Sequence, residues 1–445
     1  MLGMLVNETR PALLPLLGFC VHMDRREKSE IASQNVASAR RKVLQVRRAV
    51  KEVRNPVASS RNEIGGLNMR LNVFRAMALV TAMCMVGGAL GETVVVGQVA
   101  PLGAPGSPGN QLRLGAQVYF DAINRAGGVH GMTLKLVSRD RGLRNGETVT
   151  TTRKLVQETE PLALLGLVGT GPMEELVASG LLAESGLPVV GIRTGAVSLH
   201  KPTNPYLFHI RTSYAGEIEK ILTQLTTIGF NRVSVFYENS SFGKEGMGLV
   251  QRIIKNKPAM QLAGQATYEP GTTDVREAAK NLAMTKSQGV IAVANSAATA
   301  EFYREYRQIE KNAQVLALST VDSAEVVKRI GPASAKGLIV TQVVPDATNT
   351  TIPLVRELHK YVEKFGPAEI AIDQTVVEGY LSAKVLVEAL RVAGPKPTRK
   401  KICSALNSIK YFDAGGVIID FSPSNHTGSR YAELAIVLKN GKLMR

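Results

Sequence analysis

The chain has 445 residues, enough for two or three domains at roughly 150 residues each. Its 44% hydrophobic and 20% charged residues exclude a mainly disordered or collagen-like chain. Three cysteines (Cys20, Cys84, Cys403) exclude a disulfide framework and lack the spacing of a zinc site. The net charge of +17 does not require nucleic acid: residues 1–91 hold 14 Lys and Arg against 6 Asp and Glu, a net of +8. The remainder is mildly basic, with no run of like charge longer than Arg399-Lys400-Lys401.

The first expected element is an address. Residues 69–91 join a short basic segment (Arg70, Arg75) to an apolar run from Ala76 to Val86 and small residues at Ala89 and Gly91. This is the pattern of a secretory signal peptide, with cleavage expected after Gly91. The run is too short for a membrane span, which needs ~20 residues, and Thr-Ala-Met before Cys84 argues against lipidation. Residues 1–68 form a basic extension whose one candidate helix is 31–54. They are either a genuine cytoplasmic extension or lie upstream of a true start at Met69, and the second reading is favoured. With residues 1–91 set aside, Cys403 is the one cysteine left.

From Thr93 onward, strands and helices alternate. The pattern predicts strand 93–99, a Gly/Pro loop, helix 112–126, strand 133–138, helix 147–158, strand 162–168, helix 173–184 and strand 188–191. A second block predicts strand 232–237, helix 242–255, strand 260–267, helix 274–284, strand 289–293, helix 297–311, strand 315–318 and helix 323–330. After strand 337–343 come helices 352–365, 373–392 and 399–408, then a β section at 417–421 and 431–438. Strands that are continuous apolar runs between amphipathic helices imply α/β architecture, with two doubly wound parallel sheets covered on both faces.

In such sheets ligands sit beyond the carboxyl ends of the strands, here the loops 101–109, 139–146, 169–172, 192–200, 238–242, 294–297 and 319–322. They carry no Gly-x-Ser-x-Gly, His-Glu-x-x-His or phosphate-loop motif. Gly169-Thr170-Gly171 lacks the third glycine of a dinucleotide fingerprint, because Glu174 stands there. No cofactor or metal is expected, and the five histidines after residue 91 (130, 200, 209, 359, 426) are scattered along the chain. What remains suits a small anion. Thr170 offers a hydroxyl and Gly171 an open backbone N–H before a helix N-terminus, where unsatisfied amides receive a carboxylate; alternatively Thr170 caps the helix. Arg193, Thr194 and Gly195 add a guanidinium, a hydroxyl and a permissive glycine. Arg193 either pairs with a carboxylate or is solvated. Tyr214 and Phe242 either close over an apolar part of a ligand or pack in the core, and Asn295 lies in the 294–297 loop.

Particular segments add a family resemblance. Val-Gly-Gln-Val-Ala-Pro-Leu-Gly (96–103), the stretch ending Ala-Ile-Asn-Arg-Ala-Gly-Gly-Val-His-Gly (122–131), Phe-His-Ile-Arg-Thr-Ser-Tyr (208–214) and Phe-Gly-Lys-Glu-Gly (242–246) resemble type I periplasmic binding proteins of the Leu/Ile/Val-binding protein family. These are solute receptors of ABC importers, and the resemblance covers 93–440. It implies two lobes joined by three crossovers, placed near Arg211–Ser213, Val340–Gln342 and Phe412–Gly415. Lobe 1 would be 92–211 plus 342–412, and lobe 2 would be 213–340 plus 414–445.

The resemblance implies a ligand carboxylate at Thr170, Gly171 and the 193–195 loop, with hinge closure shifted by the ligand. Phe242 stands where amino-acid binders of the family often carry tyrosine, and Thr320 where they usually carry a glutamate for the ligand's ammonium. Asp322 either substitutes for that glutamate or starts the next helix. The ligand is therefore an amino acid, or an aromatic, hydroxy or keto acid without an amine. The expected setting is the periplasm, as a monomer working with importer permease subunits, without nucleic acid, stable membrane insertion or catalysis. A sensory module that passes closure to a signalling partner is the alternative.

Overall fold

The computed structural model describes residues 92–103, 106–142, 146–367 and 370–445. The readings made for residues 1–91 lie outside them. The first block runs β1 (Thr93–Ala100), α1 (Pro108–Arg125), β2 (Thr133–Asp140), α2 (Glu147–Thr159), β3 (Ala163–Leu165), α3 (Thr170–Ala178), α4 (Leu181–Ser185), β4 (Val189–Val190), α5 (Val197–His200) and β5 (Leu207–Phe208). Its five strands make one sheet in the order β2-β1-β3-β4-β5, every pair parallel. Valines 94, 96 and 99 of β1 are buried because helices cover both faces, whereas edge strand β2 leaves Lys135 in solvent. The single helix expected over 173–184 is two helices, since Gly180 takes a left-handed φ of 73° between α3 and α4.

The chain then crosses to a second lobe with α6 (Tyr214–Thr227). There follow β6 (Arg232–Glu238), α7 (Ser241–Lys255), β7 (Gln261–Tyr268), α8 (Arg276–Met284), β8 (Gly289–Val293), α9 (Ser296–Ile309), β9 (Gln314–Ala317), α10 (Ser323–Ile330), α11 (Pro332–Ala335) and β10 (Ile339–Gln342). A second crossing returns the chain to the first lobe for α12 (Pro353–Phe365), α13 (Gln374–Ala393), α14 (Arg399–Ser408) and the hairpin β11 (Phe412–Asp413) and β12 (Ile418–Ile419). β13 (Glu433–Val437) and β14 (Leu443–Met444) complete a seven-stranded sheet, β14-β13-β10-β9-β8-β6-β7, with β13 antiparallel to both neighbours.

α13 lies along α1 at backbone contact. A Cβ on Gly115 would stand 2.0 Å from the Val376 carbonyl oxygen, and one on Gly379 would stand 2.1 Å from that of Leu112. One glycine on each helix thus permits the approach.

The third crossing does not fall at 412–415: Ala414, Val417, Ile419 and Phe421 are buried with Val94, Phe208 and Tyr380 in the first lobe's core. The His426 carbonyl oxygen accepts from the His209 backbone, and the His209 carbonyl from Gly428. The passage therefore lies between Gly428 and β13, beyond the expected 412–415. The hairpin supplies the reason: its apolar face is buried only against the first lobe.

Candidate functional site

The loops that leave the strands' carboxyl ends meet between the lobes, around a buried charge network. Arg193 Nη1 donates to Glu378 Oε2 at 2.6 Å, and Arg211 Nη1 to Glu378 Oε1 at 3.2 Å. Arg211 Nη2 reaches Glu217 Oε1 at 2.9 Å and also the Ser319 hydroxyl. Ser319 in turn donates its backbone N–H to Glu217 Oε2 at 2.8 Å, and the Thr341 hydroxyl donates to the same oxygen. Arg211, Glu217 and Glu378 are 0–1% exposed, so each charge depends on the others. Burial works against the charge of Arg211, but Glu378 and Glu217 outweigh it and raise its pKa. The network joins α13 of the first lobe, α6 and the 319 loop of the second, and two of the crossings.

Arg193 is not solvated, and the carboxylate it pairs with belongs to the protein itself. It is 6% exposed and its charge is neutralised by Glu378, while Nη2 donates across the gap to the Ser319 carbonyl at 3.3 Å. Thr170 is not the helix cap. Gly169 holds that position, and the buried Thr170 hydroxyl bonds that of Thr194 at 2.7 Å. The Thr194 hydroxyl also donates to Tyr214 Oη at 3.3 Å and accepts from the Ala196 amide at 3.2 Å. Gly195 accepts from the Tyr214 amide at 2.6 Å, and a Cβ there would meet that nitrogen at the same distance. Around Gly171 the corresponding space is empty to 4 Å, which leaves its backbone approachable at the first turn of α3.

On the second lobe, Phe242 tilts against Tyr214 with centroids 5.3 Å apart. Asn295 caps α9 by accepting from Ala298 N at 3.0 Å, and its amide donates to Glu238 and Tyr268. Thr320 donates to the Ala294 carbonyl at 3.0 Å, and Asp322 caps α10. Arg193 and Asp322 line a narrow pocket between the lobes together with Ser319, Gln342, Gln374 and Glu378. Thr170, Gly171, Thr194, Gly195, Tyr214, Phe242, Asn295 and Thr320 do not line it. Asp373, at the α13 N-cap, has its pKa raised by burial and then by Asp322 of the opposite lobe.

The sequence reading missed Arg211, Glu217, Ser319 and Glu378 as members of the site. Glu378 had a signal, a charge within the otherwise apolar start of α13, and Arg211 sits in the Phe-His-Ile-Arg segment. Arg141, in the 139–146 loop, also went unremarked. Its Nη2 lies 3.7 Å from where a side chain on Gly169 would begin, burial lowers its pKa, and its Nε has no partner among the described residues. A wider hollow lined by Glu160, Tyr206, Arg399 and Cys403 lies at the opposite end of the first sheet, before β3 and β5. Among the described residues, no group of three His, Cys, Asp or Glu could hold a metal ion, and no helix is long and apolar enough to cross a membrane.

This architecture, two parallel-stranded lobes joined by three passages with polar loops meeting between them, is that of type I periplasmic binding proteins. The chain belongs to the periplasmic binding protein family, whose profile matches residues 93–442. It is similar to a substrate-binding periplasmic protein from Ralstonia solanacearum, at 36% identity and a TM-score of 0.75, over 79% of this chain and 99% of that one. A possible leucine/isoleucine/valine-binding protein from Rhodopirellula baltica is 25% identical, with a TM-score of 0.75 over 81% of this chain and 98% of that one. A branched-chain amino acid ABC transporter protein from Thermus thermophilus, solved with bound valine, shares the fold at 20% identity. Its TM-score is 0.72, over 80% of this chain and 96% of that one. No curated protein matches the sequence.

Proposed function

We propose that this protein is a periplasmic receptor of an ABC importer that captures a small carboxylate-bearing solute by hinge closure and releases it unaltered to the permease. In this reading residues 69–91 direct export, and the receptor works as a monomer.

The observation that carries the proposal is the first turn of α3. Open space lies where a Cβ on Gly171 would stand, the turn is beside the Thr170–Thr194 hydroxyl pair, and the helix packs against α7 of the opposite lobe. Free amides at a helix start favour an anion. The Arg141 guanidinium near Gly169 adds positive potential from the same lobe. Arg193 contributes less, because Glu378 already neutralises it.

The ligand class is a branched-chain or related amino acid, or an aromatic, hydroxy or keto acid. The Rhodopirellula and Thermus relatives support the amino acids. Thr320, which brings no carboxylate for an ammonium group, supports the acids without an amine. Asp322 in the interlobe pocket keeps both classes in play.

Isothermal titration calorimetry of the purified protein against amino acids and small organic acids tests the proposal. Saturable binding of a carboxylate-bearing solute is expected. A folded protein that binds nothing in a broad panel would overturn it.

A further inference from the structure

Away from the pocket, a second set of contacts joins the lobes at their rim. Glu245 on α7 of the second lobe accepts backbone N–H bonds from Val197 and, at 3.3 Å, from Ser198, both at the start of α5 in the first lobe. The Ser198 hydroxyl lies 3.2 Å from Glu245 Oε2 and 2.9 Å from Oε1 of Glu174, which projects from α3 of the first lobe. One hydroxyl carries one proton, so it can satisfy only one of these carboxylates at a time. The two acids are therefore held within about 6 Å of each other by a shared partner.

The two carboxylates have opposite effects on the contact. Glu245 gains charge-assisted bonds to two amides that only the other lobe provides, and it forfeits them to water when the lobes part. Glu174 stays with α5 whether the lobes are together or apart. It meets Glu245 only on approach, so its charge opposes that approach. Neither residue lines the interlobe pocket.

We infer that Glu245 is a latch and Glu174 a counter-latch, which together set how far the empty receptor already populates its closed form. The inference rests on the hinge closure proposed above. It places the control of apparent affinity outside the ligand contacts, because a binding-competent state populated at a fraction f weakens apparent affinity by that fraction.

The test is a pair of conservative substitutions with opposite expected signs. The full-length chain, with Cys20, Cys84 and Cys403 replaced by serine, carries spin labels at Lys154→Cys on the first lobe and Lys280→Cys on the second. Pulsed dipolar spectroscopy without added ligand then reads the interlobe distances. Glu245→Gln should reduce the short-distance population several-fold, and Glu174→Gln should increase it several-fold. Two populations insensitive to both changes, or shifted the same way by both, would overturn the latch. One fixed distance in all three proteins would overturn the closure itself, and the latch with it.

Discussion

A single carboxylate, that of Glu378, is gripped by two guanidinium groups, Arg193 at 2.6 Å and Arg211 at 3.2 Å, all three nearly inaccessible to solvent. Removing its charge leaves Arg193 without a carboxylate partner and Arg211 with Glu217 alone, in a dry environment where breaking a buried pair typically costs about 3–5 kcal/mol. Glu378→Gln keeps the shape and should destabilise the protein by about 3 kcal/mol, read as a lower urea midpoint. Replacing a solvent-exposed glutamate such as Glu277 should change stability by less than about 0.5 kcal/mol. Equal effects would show that the network carries no special weight.

The hydroxyl pair Thr170–Thr194 separates structure from ligand contact. Thr170→Val removes one hydrogen bond while keeping the volume. If the pair faces a ligand carboxylate, affinity for the tightest solute in the calorimetric panel should fall by ~1–2 kcal/mol, the worth of a hydrogen bond to a charged group. Unchanged affinity with lowered stability would assign the pair to the scaffold alone.

Two neighbouring histidines, His200 and His209, come together with the distant His426 in the first lobe. The rings of His200 and His209 stack with centroids 3.7 Å apart, and that of His426 lies on Phe208 at 4.0 Å. Burial lowers the pKa of all three, that of His209 to about 4, with the Leu199 carbonyl acting the other way and His426 and Arg211 adding to the depression. Because the folded pKa lies below the unfolded value of about 6.5, the unfolded chain binds more protons between the two. Stability should therefore fall as the pH drops from 6.5 towards 4, by up to about 3 kcal/mol from His209. His209→Gln keeps a donor for the Leu199 carbonyl and removes the titration. Its urea midpoint should vary less over that range than the wild type's, and an identical slope would refute the assignment.

Asp373 acts in the opposite sense. Burial and then Asp322 raise its pKa, so the folded state holds a proton that the unfolded state has released. Its contribution to stability is present at low pH and is lost as the pH rises through the elevated folded value. Asp373→Asn retains an N-cap for α13 and should stabilise the protein at neutral pH by about 1 kcal/mol, with the gain vanishing in acid. Loss of stability at neutral pH would mean that the hydrogen bond from Gln111, at 2.7 Å, outweighs the repulsion.

The sheets were legible because burial on both faces writes itself as unbroken apolar runs. Gly289–Val293 and Ser323–Ile330 were read to the residue. Helix α6 carries its own signal, with Ile218, Ile221, Leu222 and Leu225 at helical spacing behind a Ser213 cap, although it follows a two-residue strand that resembles loop. The site was harder to read for a different reason. Glu378 in α13 announces that a partner must exist, but nothing local says that the partners stand 185 and 167 positions earlier. In the 319–322 loop the reading weighed Thr320 and Asp322, whereas Ser319 engages both lobes through its backbone and its hydroxyl together.

The second sheet is assembled out of sequence order, and this governs how the protein comes into being. β10 lies between β9 and β13, so its outer edge stays unpaired until residues 433–437 have been synthesised, about ninety positions later. A nascent chain can finish the five-stranded half while the other half still offers an open ladder, the kind of edge that invites premature pairing. The last strands to emerge are therefore the ones that complete the second lobe's sheet.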